Sequence, residues 1–118
     1  MSDLRRLISK FRYAFNGFVH GLKYDLSIRV QCVLAVMAVA VSLIMHFTTE
    51  ELAIVMLFCA LIISLEFINS SIERIMNLEE PEISKSVKHI KDMAAAGVLT
   101  ASFFALVVGL MFFIRHLK

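Results

Sequence analysis

The sequence predicts an all-α integral membrane protein, with an N-terminal amphipathic surface helix followed by three transmembrane helices. Two observations carry this. At 118 residues the chain bounds one domain at most, yet 59% of it is hydrophobic, well above the usual globular fraction. Its apolar residues are also gathered into three runs, each near the length that crosses a hydrocarbon core of about 30 Å at about 1.5 Å per helical residue. Val30 to Phe47 is uncharged apart from His46, Leu52 to Ile72 carries the single carboxylate Glu66, and Met93 to Ile114 has no charge. The expected organisation is one membrane domain over 1–118: a surface helix over 1–28, spans over 29–47, 51–75 and 89–115, and a polar connection over 76–88.

The N-terminal segment places Leu4, Leu7, Ile8, Phe11, Phe15, Phe18 and Leu22 at three- and four-residue steps, opposite Arg5, Arg6, Lys10 and Arg12. That is one apolar helical face against a basic one, the pattern of a helix lying in the headgroup interface, where it could also roof a site. A secretory signal would put its apolar region nearer the start, so the small residues around Ala38 and Ala40 read as helix packing and not as a cleavage site. Thr48 and Thr49 before Glu50 and Glu51 give the second span an N-cap and an acidic first turn. The stretch "NLEEPEISKSVKH" holds the single proline, and Ser84 or Ser86 is the candidate cap of the helix that follows. Ala94 to Ala96 and Gly97 form a small-residue segment suited to close helix packing in lipid.

Basic residues cluster before the first span and between the second and third, while "HFTTEE" between the first two has no Lys or Arg. The positive-inside rule then places the N-terminus and the second loop in the cytoplasm. Cys32 and Cys59 fall inside apolar runs, where thiols behave as small hydrophobes, so neither a disulfide framework nor a zinc site is expected.

The chemistry is concentrated in "SLEFINSSIERI". Glu66, Asn69, Glu73 and Asn77 are spaced i, i+3, i+7 and i+11, on one side of a continuous helix. An ionisable group in a membrane helix is costly and faces a bundle interior or a wet cavity, and Glu66 lies roughly 10 Å deeper than Glu73 along the axis. Asp25 before the first span, and Lys91 with Asp92 before the third, stand at the same boundary. Carboxylates from two helices can share Mg²⁺ with nucleotide phosphates, and a lysine can offset phosphate charge. Taken singly, Glu73 or the Lys91–Asp92 pair reads as solvated surface charge and Asn69 as an interhelical hydrogen-bonding group. No G-x-x-x-x-G-K-[ST] loop is present, and His20, His46, His89 and His116 lack metal-ligand spacing. The basic residues follow membrane topology without interleaved aromatics, which excludes a nucleic-acid partner.

"EFINSSIE", Glu66 to Glu73, resembles the signature E-x-x-N-[ST]-[AS]-I-E of the prokaryotic diacylglycerol kinase and undecaprenol kinase family. "FRYAFNG" at Phe11 to Gly17, "DLSIR" at Asp25 to Arg29 and "KDMAAAGVL" at Lys91 to Leu99 extend the resemblance over nearly the whole chain. It implies a homotrimeric lipid kinase of the bacterial cytoplasmic membrane, with Mg²⁺ as cofactor, ATP as co-substrate and active sites shared between subunits. By matching motif positions, Glu66 is the general base; Asp25 and Glu73 hold the metal. Arg6, Tyr13, Asp25, Asn69, Glu73, Asn77, Glu82, Lys91 and Asp92 contact nucleotide, and Glu66, Arg29 and Ala95 contact lipid. Two departures stand out: Asp25 replaces the family's usual glutamate, and Asn77 stands where aspartate is common. The segments "FRYAFNG" and "AAAGVL" are closer to the Gram-positive branch, whose typical substrate is undecaprenol; diacylglycerol is the alternative. Outside this class, Glu66 could serve a small proton- or cation-coupled transporter, or the chain could be a non-catalytic assembly protein. The transporter needs no ATP and gives little role to Asp25, Lys91 or Asp92. The assembly protein tolerates Glu66→Gln.

Overall fold

A computed structural model describes residues 2–79 and 85–118, which form four helices: α1 (Asp3–Tyr24), α2 (Leu26–Ile44), α3 (Thr49–Glu79) and α4 (Lys85–Leu117). Glu82 and Ser84 lie outside the described residues, and Ser86 stands inside α4. Helices α2, α3 and α4 are each long and apolar enough to cross a membrane. At about 1.5 Å per residue α3 and α4 exceed a hydrocarbon core of about 30 Å by several turns, so the helices outrun their apolar runs. Helix therefore occupies much of the connection expected over 76–88, whereas α2 keeps the 19-residue length of the expected span and is shifted three residues earlier by its Asp25 cap. Backbone hydrogen bonding continues into the interface wherever the local sequence permits it.

Each described helix end has a local cause. Ser2 caps α1 by accepting from the Arg5 N–H at 3.3 Å. Between α1 and α2, Asp25 takes extended backbone angles, φ −124° and ψ 110°, and its Oδ1 accepts from the Ile28 N–H at 3.3 Å. A single aspartate thus ends one helix and starts the next. Helix α2 closes in a Schellman turn: the Phe47 N–H donates to the Ser42 carbonyl at 2.9 Å, the His46 N–H to Leu43 at 3.2 Å, and His46 takes the left-handed conformation at φ 60°. The expected cap of α3 is Thr48, in a reciprocal capping box with Glu51: Glu51 N–H to Thr48 Oγ1 at 3.2 Å, and Thr48 N–H to Glu51 Oε1 at 2.8 Å.

Helix α3 is central, packed against α2 on one side and α4 on the other. The flanking helices leave between them an apolar groove of about 580 Å³, lined by residues such as Leu34, Val41, Phe58, Ile62 and Leu106. Three hydroxyls within the spans turn back on their own helix, Ser42 to the Ala38 carbonyl, Ser71 to Phe67 and Thr100 to Ala96, so these three need no partner from lipid. Among the described residues, Ile28, Val87, Val98 and Ala101 are the buried apolar side chains, while Ala95, Ala96 and Gly97 of the small-residue segment are exposed in the single chain. Most large apolar side chains point outward, as a surface bathed in acyl chains or covered by further copies requires. On α1, Leu4, Leu7, Ile8, Phe11 and Phe15 are likewise uncovered.

Candidate active site

Glu66, Asn69 and Ser70 are the buried polar side chains of the middle of α3, with Glu66 6% exposed and Asn69 7%. The i, i+3, i+4 spacing puts all three on neighbouring positions of α3, and Ser70 lines the cavity that α3 shares with α1 and the start of α2. The Asn69 side chain lies against the Glu66 carboxylate, and Asp25 and Glu73 are the other carboxylates whose charge reaches it. Four of the residues singled out in the sequence therefore form one group drawn from α3 and the α1–α2 elbow. Asn69 Oδ1 is buried without a hydrogen-bond partner, an acceptor left ready for a donor that enters the site.

A cavity of about 390 Å³ opens beside this group, lined among others by Gly17, Gly21, Asp25, Phe67, Ser70 and Arg74. Gly21 makes the approach of α1 possible, since a Cβ there would stand 2.5 Å from Phe67 Cε1. Phe18 stacks on the same ring with centroids 5.3 Å apart. Arg74 Nη1 and His20 Nε2 meet at 2.9 Å, a second tie between α1 and α3.

The remaining candidates lie elsewhere. Lys91 Nζ donates to Asn77 Oδ1 at 3.0 Å, which joins α4 to the last turns of α3. Asp92 pairs with Lys88 one turn earlier at 2.7 Å, both well exposed. Arg29 donates from Nη1 to the carbonyls of Leu22 at 3.1 Å and Lys23 at 2.7 Å, closing the C-terminus of α1 as a cation there should. Arg6 and Tyr13 are exposed on α1, and Ala95 is exposed on α4. Ser70, His20 and Arg74 were not among the sequence candidates. Ser70 was within reach, standing four residues from Glu66, but nothing in the sequence pairs His20 with Arg74.

Among the described residues, no three His, Cys, Asp or Glu side chains converge as a metal site. Magnesium does not demand such a cage: it takes one or two carboxylates and completes its shell with phosphate oxygens and water. Asp25 and Glu73, both close enough to act on Glu66, are a donor set of that kind.

Three helices long and apolar enough to cross a membrane, with a buried carboxylate on the central one, define an integral membrane protein with a polar site among its apolar helices. The sequence model of the family described as Prokaryotic diacylglycerol kinase matches residues 12–113. A curated protein from Synechocystis sp. named "Diacylglycerol kinase" is 27% identical over 104 residues, covering 87% of this chain and 59% of that protein. The chain belongs to the prokaryotic diacylglycerol kinase family. It spans only 59% of the length of the curated relative it matches.

Proposed function

We propose that the chain is a lipid kinase that transfers the terminal phosphoryl group of ATP to the hydroxyl of a membrane lipid alcohol, with undecaprenol the preferred acceptor. One observation carries the reading: a carboxylate is buried in the middle of a membrane helix, with an unsatisfied amide oxygen next to it and the charges of Asp25 and Glu73 within reach. Glu66 accepts the proton of the lipid hydroxyl, whose oxygen attacks the γ-phosphorus as the bond to the ADP oxygen breaks. Asn69 offers its free Oδ1 to a donor arriving in the site. Asp25 and Glu73 would hold Mg²⁺, which when bound offsets the negative charge of the nucleotide phosphates. The α4 groups Lys91 and Asp92 serve the nucleotide with Asn77, and Arg6, Tyr13 and Glu82 assist from α1 and the connection. Arg29 and Ala95 face the lipid. Active sites are shared within a homotrimer whose N-terminus and nucleotide site are cytoplasmic, with α1 lying in the headgroup interface of the inner membrane.

The segments Phe11–Gly17 and Ala94–Leu99 resemble the Gram-positive branch of the family, whose typical substrate is undecaprenol. Diacylglycerol is the second reading, because the Synechocystis relative carries that substrate in its name. The deciding assay presents both lipids side by side at equal mole fraction with Mg·ATP. Phosphate transfer predominantly to undecaprenol is expected, and transfer predominantly to diacylglycerol reverses the preference. Glu66→Gln should fold, bind nucleotide and lose at least roughly a hundredfold in rate, the lower end of what a positioned acid or base contributes. Substantial residual transfer by that variant removes Glu66 from the base role. A folded wild-type protein that phosphorylates neither lipid overturns the kinase reading.

A further inference from the structure

We propose that Arg74 and His20 form a latch that sets the separation of Asp25 and Glu73, a positioning role that rests on the kinase reading above. The contact is 2.9 Å long between Arg74 Nη1 and His20 Nε2. A guanidinium can only donate, so Nε2 is the bare nitrogen of a neutral ring. Its place in the fold gives it consequence. Arg74 directly follows Glu73 on α3, His20 lies on the last turns of α1 just before Asp25, and both line the cavity that Asp25 borders. The latch therefore bridges the same two elements that carry the two carboxylates.

Beside it, the described residues show an apolar contact of α1 on α3, Phe18 and Gly21 against the Phe67 ring. A single contact is a pivot. Phe67 and Arg74 are seven residues apart, two turns or roughly 10 Å along one face of α3, and two points at that spacing fix the angle between the helices. The elbow on the other side of Asp25 is already held by Arg29 on the α1 carbonyls. With the elbow held, the latch adds to the packing of α2 on α3 in setting how far Asp25 stands from Glu73. Neither His20 nor Arg74 needs to touch a reacting atom for this.

The test uses the full chain in lipid nanodiscs with four latch variants, His20→Ala, His20→Gln, His20→Lys and Arg74→Gln, and the double variant His20→Ala/Arg74→Gln. The first readout is the Mg²⁺ concentration giving half-maximal phosphate transfer. The second, taken without metal or nucleotide, is the spin-label distance distribution between Arg12→Cys on α1 and Leu78→Cys on α3, with Cys32 and Cys59 replaced by Ala. The contact is exposed, so its loss is expected to raise the Mg²⁺ requirement roughly threefold in His20→Ala, with a smaller change in kcat, and to broaden the distance distribution. His20→Gln keeps an acceptor and should stay near wild type. His20→Lys sets two cations against each other and should be the worst single variant. The His20 ring also packs on Tyr24 at 4.7 Å, which His20→Ala loses as well, but Arg74→Gln removes no latch contact that His20→Ala has left, so the double variant should be no worse than His20→Ala. A distance distribution unchanged in His20→Ala, or additive effects in the double variant, overturns the latch. A wild type without kinase activity refutes the functional reading alone, because the distance measurement still decides whether the latch exists.

Discussion

At the scale of single residues, the site depends on how closely α1 can approach α3, and one glycine sets that distance. A Cβ on Gly21 would meet Phe67 Cε1 at 2.5 Å and Ile28 Cδ1 at 3.0 Å, whereas a Cβ on Gly17, one turn earlier and lining the same cavity, meets nothing within 4 Å. The two positions therefore respond in opposite directions to the same substitution. Gly21→Ala must displace an aromatic ring wedged between helices, an overpacking cost of roughly 1–3 kcal/mol, and it moves α1 with Asp25 away from Glu66. Gly17→Ala gains helix propensity, roughly 1 kcal/mol, with no clash to offset it. Thermal unfolding in detergent should show a lower midpoint for Gly21→Ala and an equal or higher one for Gly17→Ala. Kinase turnover should fall with the first. Equal effects at both positions would refute the close-approach role of Gly21.

At the scale of elements, the end of the bundle remote from Glu66 is clasped by a second buried carboxylate. Glu51, 3% exposed, is in the α3 capping box, and it also reaches His116 Nε2 at 2.7 Å and Arg115 Nη1 at 3.3 Å on α4. Phe47, in the α2–α3 turn, stacks on the His116 ring with centroids 4.8 Å apart and meets Phe112 edge-on at 5.8 Å. Glu51→Ala removes the cap and the α3–α4 clasp together, so the unfolding midpoint should drop by several degrees. Glu51 and Glu66 are about four helical turns apart on α3, roughly 22 Å, so KM for ATP and for lipid should hold in the fraction that stays folded. A changed KM would mean that the clasp communicates with the site. These ties also mark what could be read from the sequence. The three spans were legible because apolar runs report burial in lipid directly, and the Glu66–Asn69–Glu73 row because spacing on one helix is geometry. Glu51 was legible as part of an acidic first turn, but its partners stand 64 and 65 residues away and follow only from how helices pack. The same holds for His20 with Arg74, 54 residues apart.

At the scale of the whole molecule, one chain does not assemble all the candidate groups in one place. Glu66 lies against Asn69 and within reach of the charges of Asp25 and Glu73, while Lys91 is engaged by Asn77 and Asp92 by Lys88 near the start of α4. Asn77 is about three turns, roughly 16 Å, from Glu66 along the helix. The outward-facing apolar side chains leave ample surface for further copies to pack against. If the carboxylate group of one subunit works with the α4 groups of the next, complementation follows. Glu66→Gln and Lys91→Ala protomers, each inactive as a homo-oligomer, should recover activity when unfolded together and reassembled in lipid. In a randomly mixed cyclic trimer at equal amounts, a working site needs Glu66 from one neighbour and Lys91 from the other, each present with probability one half, so about a quarter of wild-type activity should return. Sites confined to one chain give none at any mixing ratio, because no protomer carries both residues. Titrating the ratio separates the cases further, since shared sites produce a maximum at equal amounts that falls away on both sides.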